Sequence, residues 1–314
     1  MTDTRKIIID TDPGIDDAMA IFLALDCPEL DLIGLTTIFG NVHTSRATRN
    51  ALHLLEVAGH TDIPVAEGAA NPLARTYRGP VPFVHGDDGL GNINAEPPTG
   101  QPLNTTAAQF IVEQVMAAPG EVTLVPVGPL TNIALALRLE PRIAQAVKEV
   151  VIMGGNAFVP GNATPAAEAN IVNDAEAADV VFSTDWPLTM VGLDVTEKTQ
   201  MTNKQLSLFG QSKRDLAQYV ARMIPHYHDF HKMAYKGLDG IYIHDSSAIV
   251  YLIAPELFTT VQHPVVVETQ GVSRGKTWPA HRRQIPPWEG RPSVNICVGV
   301  DGAKSVALQL ERSL

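Results

Sequence analysis

Asp10, Asp12, Asp16 and Asp17 put four carboxylates into eight residues, inside the run Ile-Ile-Ile-Asp-Thr-Asp-Pro-Gly-Ile-Asp-Asp-Ala. Like charges this close repel unless a cation lies between them. Oxygen-only donors at this density suit a hard divalent ion, calcium or magnesium. The spacing is not that of an EF-hand, because the closing glutamate is missing. Helix capping by one or two of the acids is the plainer alternative, and it leaves the others without a role. Asp10 and Asp12 are read as pointing to opposite sides of a strand end, one a direct ligand and the other a support. Asp16 and Asp17 open a helix, where free N–H groups and the macrodipole favour anions.

Five further groups carry candidate chemistry. The run from Gly154 to Asn170 holds Asn162, Glu168 and Asn170, a mix of amide donors and acceptors that suits sugar hydroxyls; a turn-rich surface loop has the same composition. In Ile243-His244-Asp245-Ser246, Asp245 could complete a cation's shell or cap a helix, and His244 could donate a proton or sit on the surface. Val127, the third residue of Val-Pro-Val-Gly-Pro-Leu-Thr-Asn, could lend its main-chain carbonyl to calcium; a plain turn capped by Thr131 or Asn132 is the alternative. Asn41 follows Phe39-Gly40 and could face the same pocket. Tyr227, His231 and Tyr235 fall at i, i+4 and i+8, one helix face, and could hold a flat base or form a core stripe.

These groups need a scaffold, and the hydrophobic pattern supplies one. Strands are predicted at Lys6–Asp10, Asp31–Ile38, Ile63–Ala66, Val122–Val127, Val150–Met153, Leu188–Leu193 and Val294–Val300. Helices are predicted at Asp17–Leu25, His43–Ala58 with Gly59 as its stop, Thr105–Ala118, Ala248–Ile253 and Ala303–Leu310, with an all-helical stretch over Asn203–Tyr235. Such alternation predicts an α/β fold: a mainly parallel open sheet with helices on both faces, in one domain spanning residues 1–314. Open sheets of this kind place ligands beyond the carboxyl ends of their strands, where the acid cluster falls. Glu67–Asn104 is long, rich in Gly and Pro, and contains His85-Gly86-Asp87-Asp88-Gly89. An ordered lid or wall is expected there.

The 314 residues are 45% hydrophobic with a formal charge of −11, enough for a large core. That charge disfavours nucleic acid and anionic membranes as partners. Cys27 and Cys297 show no metal spacing and read as reduced thiols of a cytoplasmic protein. The first residues lack a signal-peptide apolar region, and no stretch is long enough to cross a bilayer.

Taken together, the motifs resemble the inosine–uridine-preferring nucleoside hydrolases, calcium-dependent N-ribohydrolases, over essentially the whole chain. The resemblance rests on Asp10-Thr11-Asp12-Pro13-Gly14-Ile15-Asp16-Asp17, Phe39-Gly40-Asn41, Val127-Gly128-Pro129-Leu130-Thr131-Asn132, Asn162 with Glu168-Ala169-Asn170, and His244-Asp245. It implies a nucleoside-hydrolase-like, Rossmann-like core that cleaves nucleosides to free base and ribose. It also implies that Asp12, Asp17, Asp245 and the Val127 carbonyl bind Ca2+, with Asp10 in support. Asp16, Asn41 and Asn170 would take the ribose 2′ and 3′ hydroxyls, Asn162 and Glu168 the 5′ hydroxyl, and His85 the ribose or base. Asp12 would be the general base toward a calcium-bound water. His244, or else the Tyr227/His231/Tyr235 face, would assist the leaving base. Family members are homodimers or homotetramers. Two departures stand out: Ser246 and Ser247 follow His244-Asp245 where the family commonly has Pro or Ala and then Cys, and Val127 replaces a usual Thr. Ile224–Tyr242 does not align securely with the family, so base preference is open. Two other readings compete: a haloacid-dehalogenase-like phosphatase, which shares the Asp-x-Asp strand end but not Pro13-Gly14 or the Asp16-Asp17 pair, and a non-catalytic calcium- or ribose-binding homologue.

Overall fold

Three consecutive isoleucines begin the fold. Ile7 and Ile9 join one apolar cluster and Ile8 a second. That alternation belongs to a strand covered on both faces. The computed structural model describes residues 4–282 and 285–314; Met1–Asp3, on which part of the leader-free reading rests, lie outside the described residues. In chain order the strands are β1 (Arg5–Thr11), β2 (Leu30–Thr37), β3 (Val65–Glu67), β4 (Val122–Pro126), β5 (Glu149–Met153), β6 (Leu188–Val191), β7 (Gln200–Met201), β8 (Ile241–Tyr242), β9 (Phe258–Val267), β10 (Thr277–Pro279) and β11 (Ser293–Val300). The α-helices are α1 (Ile15–Leu25), α2 (Thr44–Ala58), α3 (Pro82–His85), α4 (Ala107–Ala117), α5 (Thr131–Leu139), α6 (Ile143–Ala146), α7 (Ala169–Asn173), α8 (Ala175–Phe182), α9 (Leu193–Thr196), α10 (Asn203–Gln211), α11 (Asp215–Ala234), α12 (Ser246–Ile253) and α13 (Gly302–Ser313).

One nine-stranded sheet runs in the order β10-β9-β11-β6-β5-β4-β1-β2-β3, and β7 pairs with β8 apart from it. Pairings from β11 through β3 are parallel, whereas β9 and β10 add antiparallel strands at one edge. This is the mainly parallel α/β sheet expected. In β5, Val151 and Met153 turn to the Ile7 side while Val150 and Ile152 turn to the Ile8 side. Helices α1, α2, α11 and α12 close the first face with Ile21, Leu54, Met223 and Ile249; α4, α5 and α8 close the second with Ile111, Ile133 and Val181. Among the described residues no helix is long and apolar enough to cross a membrane.

Most expected elements are present with ends shifted by up to three residues. The strand expected to reach Leu193 stops at Val191, because Gly192 caps a new helix there. The helical stretch over Asn203–Tyr235 is two helices. Ser212 ends α10, and its Oγ accepts from the Arg214 amide before α11 begins. Strands β9 and β10 and helix α8 lie where the sequence reading assigned nothing.

The Glu67–Asn104 stretch is a wall rather than a linker. Asp88 gathers the amides of Leu90, Asn92 and Asn94, and Glu56 gathers those of Thr99 and Gly100. The Tyr77 hydroxyl donates to the Gly40 carbonyl at 2.6 Å, and Asn50 bonds both Pro13 and Asp88 carbonyls.

Candidate active site

Parallel register brings the strand ends level: Asp10 stands beside Thr36 on one side and Pro126 on the other. The turns after β1, β2, β4, β5 and β6 therefore open on one edge, where a cavity of about 170 Å³ lies. Asp16, Asn41, His85, Val127, Asn162, Glu168, Asn170, Tyr227, His231, Tyr235, His244 and Asp245 all line it. Asp12 and Asp17 are buried against that lining: Asn41 bonds both, and Asp17 has an oxygen within 4.8 Å of Asp16 and Asp245, whereas Asp10 is held by Thr36 and Asn132. A wider groove of about 530 Å³ lies between α2 and residues 87–96, but no buried polar atom there lacks a partner.

Five buried carboxylates form the floor: Asp10, Asp12, Asp16, Asp17 and Asp245. Asp16, Asp17 and Asp245 each offer an oxygen within 4.8 Å of the others. Among the described residues no Lys or Arg pairs with any of the five; the nearest basic group is His85, whose Nδ1 is 3.8 Å from Asp16. Burial, and then the neighbouring acids, hold the carboxyls of Asp12 and Asp245 well above the usual range. Asp17 is raised for the same reasons, and burial lifts Asp16 to about 6. Asp12 Oδ2 accepts from the Asn41 amide at 2.6 Å, while its Oδ1 is buried with no partner. Asp16 Oδ1 is likewise unpartnered, and its Oδ2 accepts from the Tyr227 hydroxyl at 3.0 Å. Such a floor fits a divalent cation: hard oxygens, surplus negative charge and free lone pairs aimed inward.

Asp10 and Asp12 do not part as expected. Side chains two apart on a pleated strand return to the same face, so depth separates their roles. Asp10 Oδ1 is held by Thr36 and Asn132, and burial lifts its carboxyl to about 7. Asn132, expected as a cap, instead braces this acid; Leu130 occupies the N-cap position of α5. Asp17 is fastened by the Thr11 hydroxyl, the Gly14 amide and Asn41 Nδ2. Asp245 occupies the N-cap position of α12, but its side chain makes no cap bond.

The Gly154–Asn173 loop forms a second wall. Glu168 caps α7 and takes amides from Gly155, Asn170 and Ile171; burial still lifts it to about 7. Both Glu168 oxygens are thus committed to the backbone, which the expected 5′-hydroxyl contact did not foresee. Asn170 Nδ2 donates to the Val127 carbonyl at 2.8 Å and to that of Met153 at 3.1 Å, joining β4 to β5. The Val127 carbonyl keeps a second lone pair. Asn162 accepts from the Ala169 amide. Residues not anticipated hold this wall in place. Asn156 bonds Val159, Ala166 and Glu168; Asp194 of α9 takes the amides of Ala157 and Phe158; Lys276 Nζ reaches the Asn156 and Val159 carbonyls. Asp194-Val195-Thr196 was detectable as another turn at the same sheet edge, had the β6 strand been ended at Gly192.

Aromatic and imidazole rings make the third wall. His85 stacks on Tyr227 at 5.4 Å between centroids, and His231 packs between Tyr227, Tyr235 and His244. The i, i+4, i+8 face of α11 is therefore turned to the cavity. Burial lowers His85 and His231 to about 4 and His244 to about 3. All three are neutral. His85 Nδ1 accepts from the Ile15 amide, so its proton is on Nε2; His231 Nδ1 donates to the Tyr227 carbonyl, leaving a buried, unpartnered Nε2. His244 Nδ1 lies 2.9 Å from the Thr196 hydroxyl.

Known proteins match this arrangement along the whole chain. The family described as inosine-uridine preferring nucleoside hydrolase matches residues 7–307. A probable uridine nucleosidase 2 of Arabidopsis thaliana is 48% identical, covering 99% of this chain and 98% of that protein. A plant nucleoside hydrolase, PpNRh1, superposes with a TM-score of 0.95 at 42% identity, covering 98% of each chain. A purine-preferring ribonucleoside hydrolase from Gardnerella vaginalis superposes with a TM-score of 0.92 at 32% identity, again over 98% of each.

Proposed function

The chain belongs to the inosine-uridine preferring nucleoside hydrolase family, and from that premise we propose which ion its cavity holds and how its residues share the chemistry. The enzyme hydrolyses the N-glycosidic bond of ribonucleosides to free base and ribose. The ion we assign is Ca2+, held by Asp12, Asp17, Asp245 and the Val127 carbonyl, since a mixed carboxylate and carbonyl set suits its large, flexible shell. When bound, it neutralises the acidic floor and lowers the pKa of a water.

Asp12 supplies the general base. Its Oδ1 is the oxygen left free, while the Asn41 amide fixes the other, so the acceptor is aimed before substrate arrives. Asp16, Asn41 and Asn170 orient the ribose 2′ and 3′ hydroxyls, with Asn162 and Glu168 at the 5′ side. Positive charge grows on the sugar ring as the C1′–N bond breaks, and the buried carboxylates stabilise it. His244, neutral at working pH, aids the departing base as a hydrogen-bond donor rather than as an imidazolium. Tyr227, His231, Tyr235 and His85 enclose the base. Support for uridine as a substrate comes from the 48% identical plant relative bearing that name. We also propose a cytoplasmic homodimer or homotetramer of one-domain subunits; Cys27 and Cys297 are buried and unpaired, as suits a reducing compartment.

The observation that carries the mechanism is Asp12, a buried carboxylate with one oxygen fastened and one open beneath a polar cavity. The test is reducing-sugar release from inosine, adenosine, guanosine, uridine and cytidine, with and without chelator. Release that stops on chelation and returns with calcium is expected. Undiminished turnover by protein verified as metal-free would sink the ion assignment, and binding without release would favour the non-catalytic reading.

A further inference from the structure

Thr196 ends α9, buried beneath His244. Among the described residues its hydroxyl has one hydrogen-bond partner, His244 Nδ1 at 2.9 Å. A buried hydroxyl whose proton meets no acceptor is strongly disfavoured. The hydroxyl therefore donates and Nδ1 accepts, which leaves the ring proton on Nε2. His244 lines the cavity with Nδ1 turned back to α9, so Nε2 is the nitrogen on the cavity side. We propose that Thr196 is a positioning residue for leaving-group departure: its hydroxyl locks His244 in the tautomer that points a proton at the departing base.

The same turn also holds the backbone that carries the ring. The Ile243 amide donates to the Thr199 carbonyl at 3.0 Å. Thr199 Oγ1 donates back to the Ile243 carbonyl at 3.0 Å and lies 3.1 Å from Ser247 Oγ. Ring and main chain are thus fixed from residues 196–199, the end of α9 and the turn that follows it. His231 makes the contrast: its Nδ1 meets a carbonyl, which only accepts, so it holds the opposite tautomer. Without Thr196, nothing bonded to His244 Nδ1 would choose between the two forms.

The inference rests on His244 as the donor to the base, and the experiment separates the two. Thr196→Val removes the hydroxyl while keeping shape; Thr196→Ser keeps it. Expected for Thr196→Val is a loss in kcat on uridine of at least ~10-fold, a part of the roughly 10²–10⁴-fold that general acid assistance contributes. KM should stay within about twofold, p-nitrophenyl riboside should be spared, and Thr196→Ser should restore turnover. Long-range 15N correlation spectra of histidine-labelled wild-type enzyme should show pyridine-type Nδ1 and pyrrole-type Nε2 for His244, and mixed tautomers in Thr196→Val. A pyrrole-type Nδ1 in the wild type, or a folded Thr196→Ser as impaired as Thr196→Val, overturns the inference. Equal loss on uridine and p-nitrophenyl riboside in His244→Ala instead overturns the underlying role of His244, whatever the spectra show of its tautomer.

Discussion

Asp12, the general base we propose, is a carboxylate left half-satisfied by the fold. The Asn41 amide holds one oxygen, and nothing among the described residues holds the other. Asp12→Asn keeps the size and removes the base, so kcat should fall by about 10²–10⁴ with circular dichroism unchanged; turnover near wild type would refute the assignment. Two glycines leave room for that carboxylate. A Cβ at Gly40 would collide with Asp12 Oδ2, and one at Gly128 would come within 2.7 Å of Oδ1. Gly40→Ala should therefore displace the base and cost about 10²-fold in kcat, the usual effect of an ångström's misplacement. The acids were legible in sequence because four carboxylates in eight residues have no cheap structural explanation. Asn132 was not, because an amide at a helix start is ordinarily a cap; its bond to Asp10 depends on a strand 122 residues away.

At the scale of elements, the wall we propose for the sugar side is held in place because other elements bond its backbone. Asn156 is fully buried and satisfies the Val159 and Ala166 carbonyls and the Glu168 amide. Asn156→Ala strands the Ala166 carbonyl and the Glu168 amide and leaves the Val159 carbonyl with Lys276 alone, so a urea titration should show a loss of about 2–3 kcal/mol. Steady-state kinetics should show KM rising more than kcat falls, since the wall positions ribose without joining the chemistry. Unchanged stability would mean water replaces the amide at no cost. The wall's composition was readable, but its anchors were not: α9 was hidden by a strand drawn two residues too far, and β9 and β10 pair in antiparallel fashion outside the repeating strand–helix pattern. Alternation reveals what repeats, and the elements that brace this wall do not.

Across the whole molecule the acids couple stability to pH and to metal. Asp16 is raised to about 6, and Asp10 and Glu168 to about 7. A raised carboxyl keeps in the fold a proton that the unfolded chain loses near pH 4. Three buried histidines oppose them: His85 and His231, lowered to about 4, and His244, lowered to about 3, stay neutral in the fold where the unfolded chain takes up a proton below about pH 6.5. The two sets offset one another between about pH 4 and 6.5; above that only the acids act, so stability of the metal-free protein should fall as pH rises beyond about 6.5. Differential scanning calorimetry with chelator should show Tm dropping over that rise, and the gain from added calcium growing over it. A Tm that climbs above about pH 6.5 under chelation would contradict the burial of these acids. Fold class was the most legible feature, since it rests on a pattern summed over the whole chain. One more consequence concerns the far rim of the sheet. Thr277 Oγ1 accepts from the Asn156 amide and donates to its carbonyl, while Lys276 reaches the same loop. Edge strand β10 is thereby stitched to the wall proposed to hold the sugar. Deuterium uptake by the amides of 276–278 should slow when a ribonucleoside analogue fills the cavity, making the rim a gauge of occupancy that can be read without catalytic turnover.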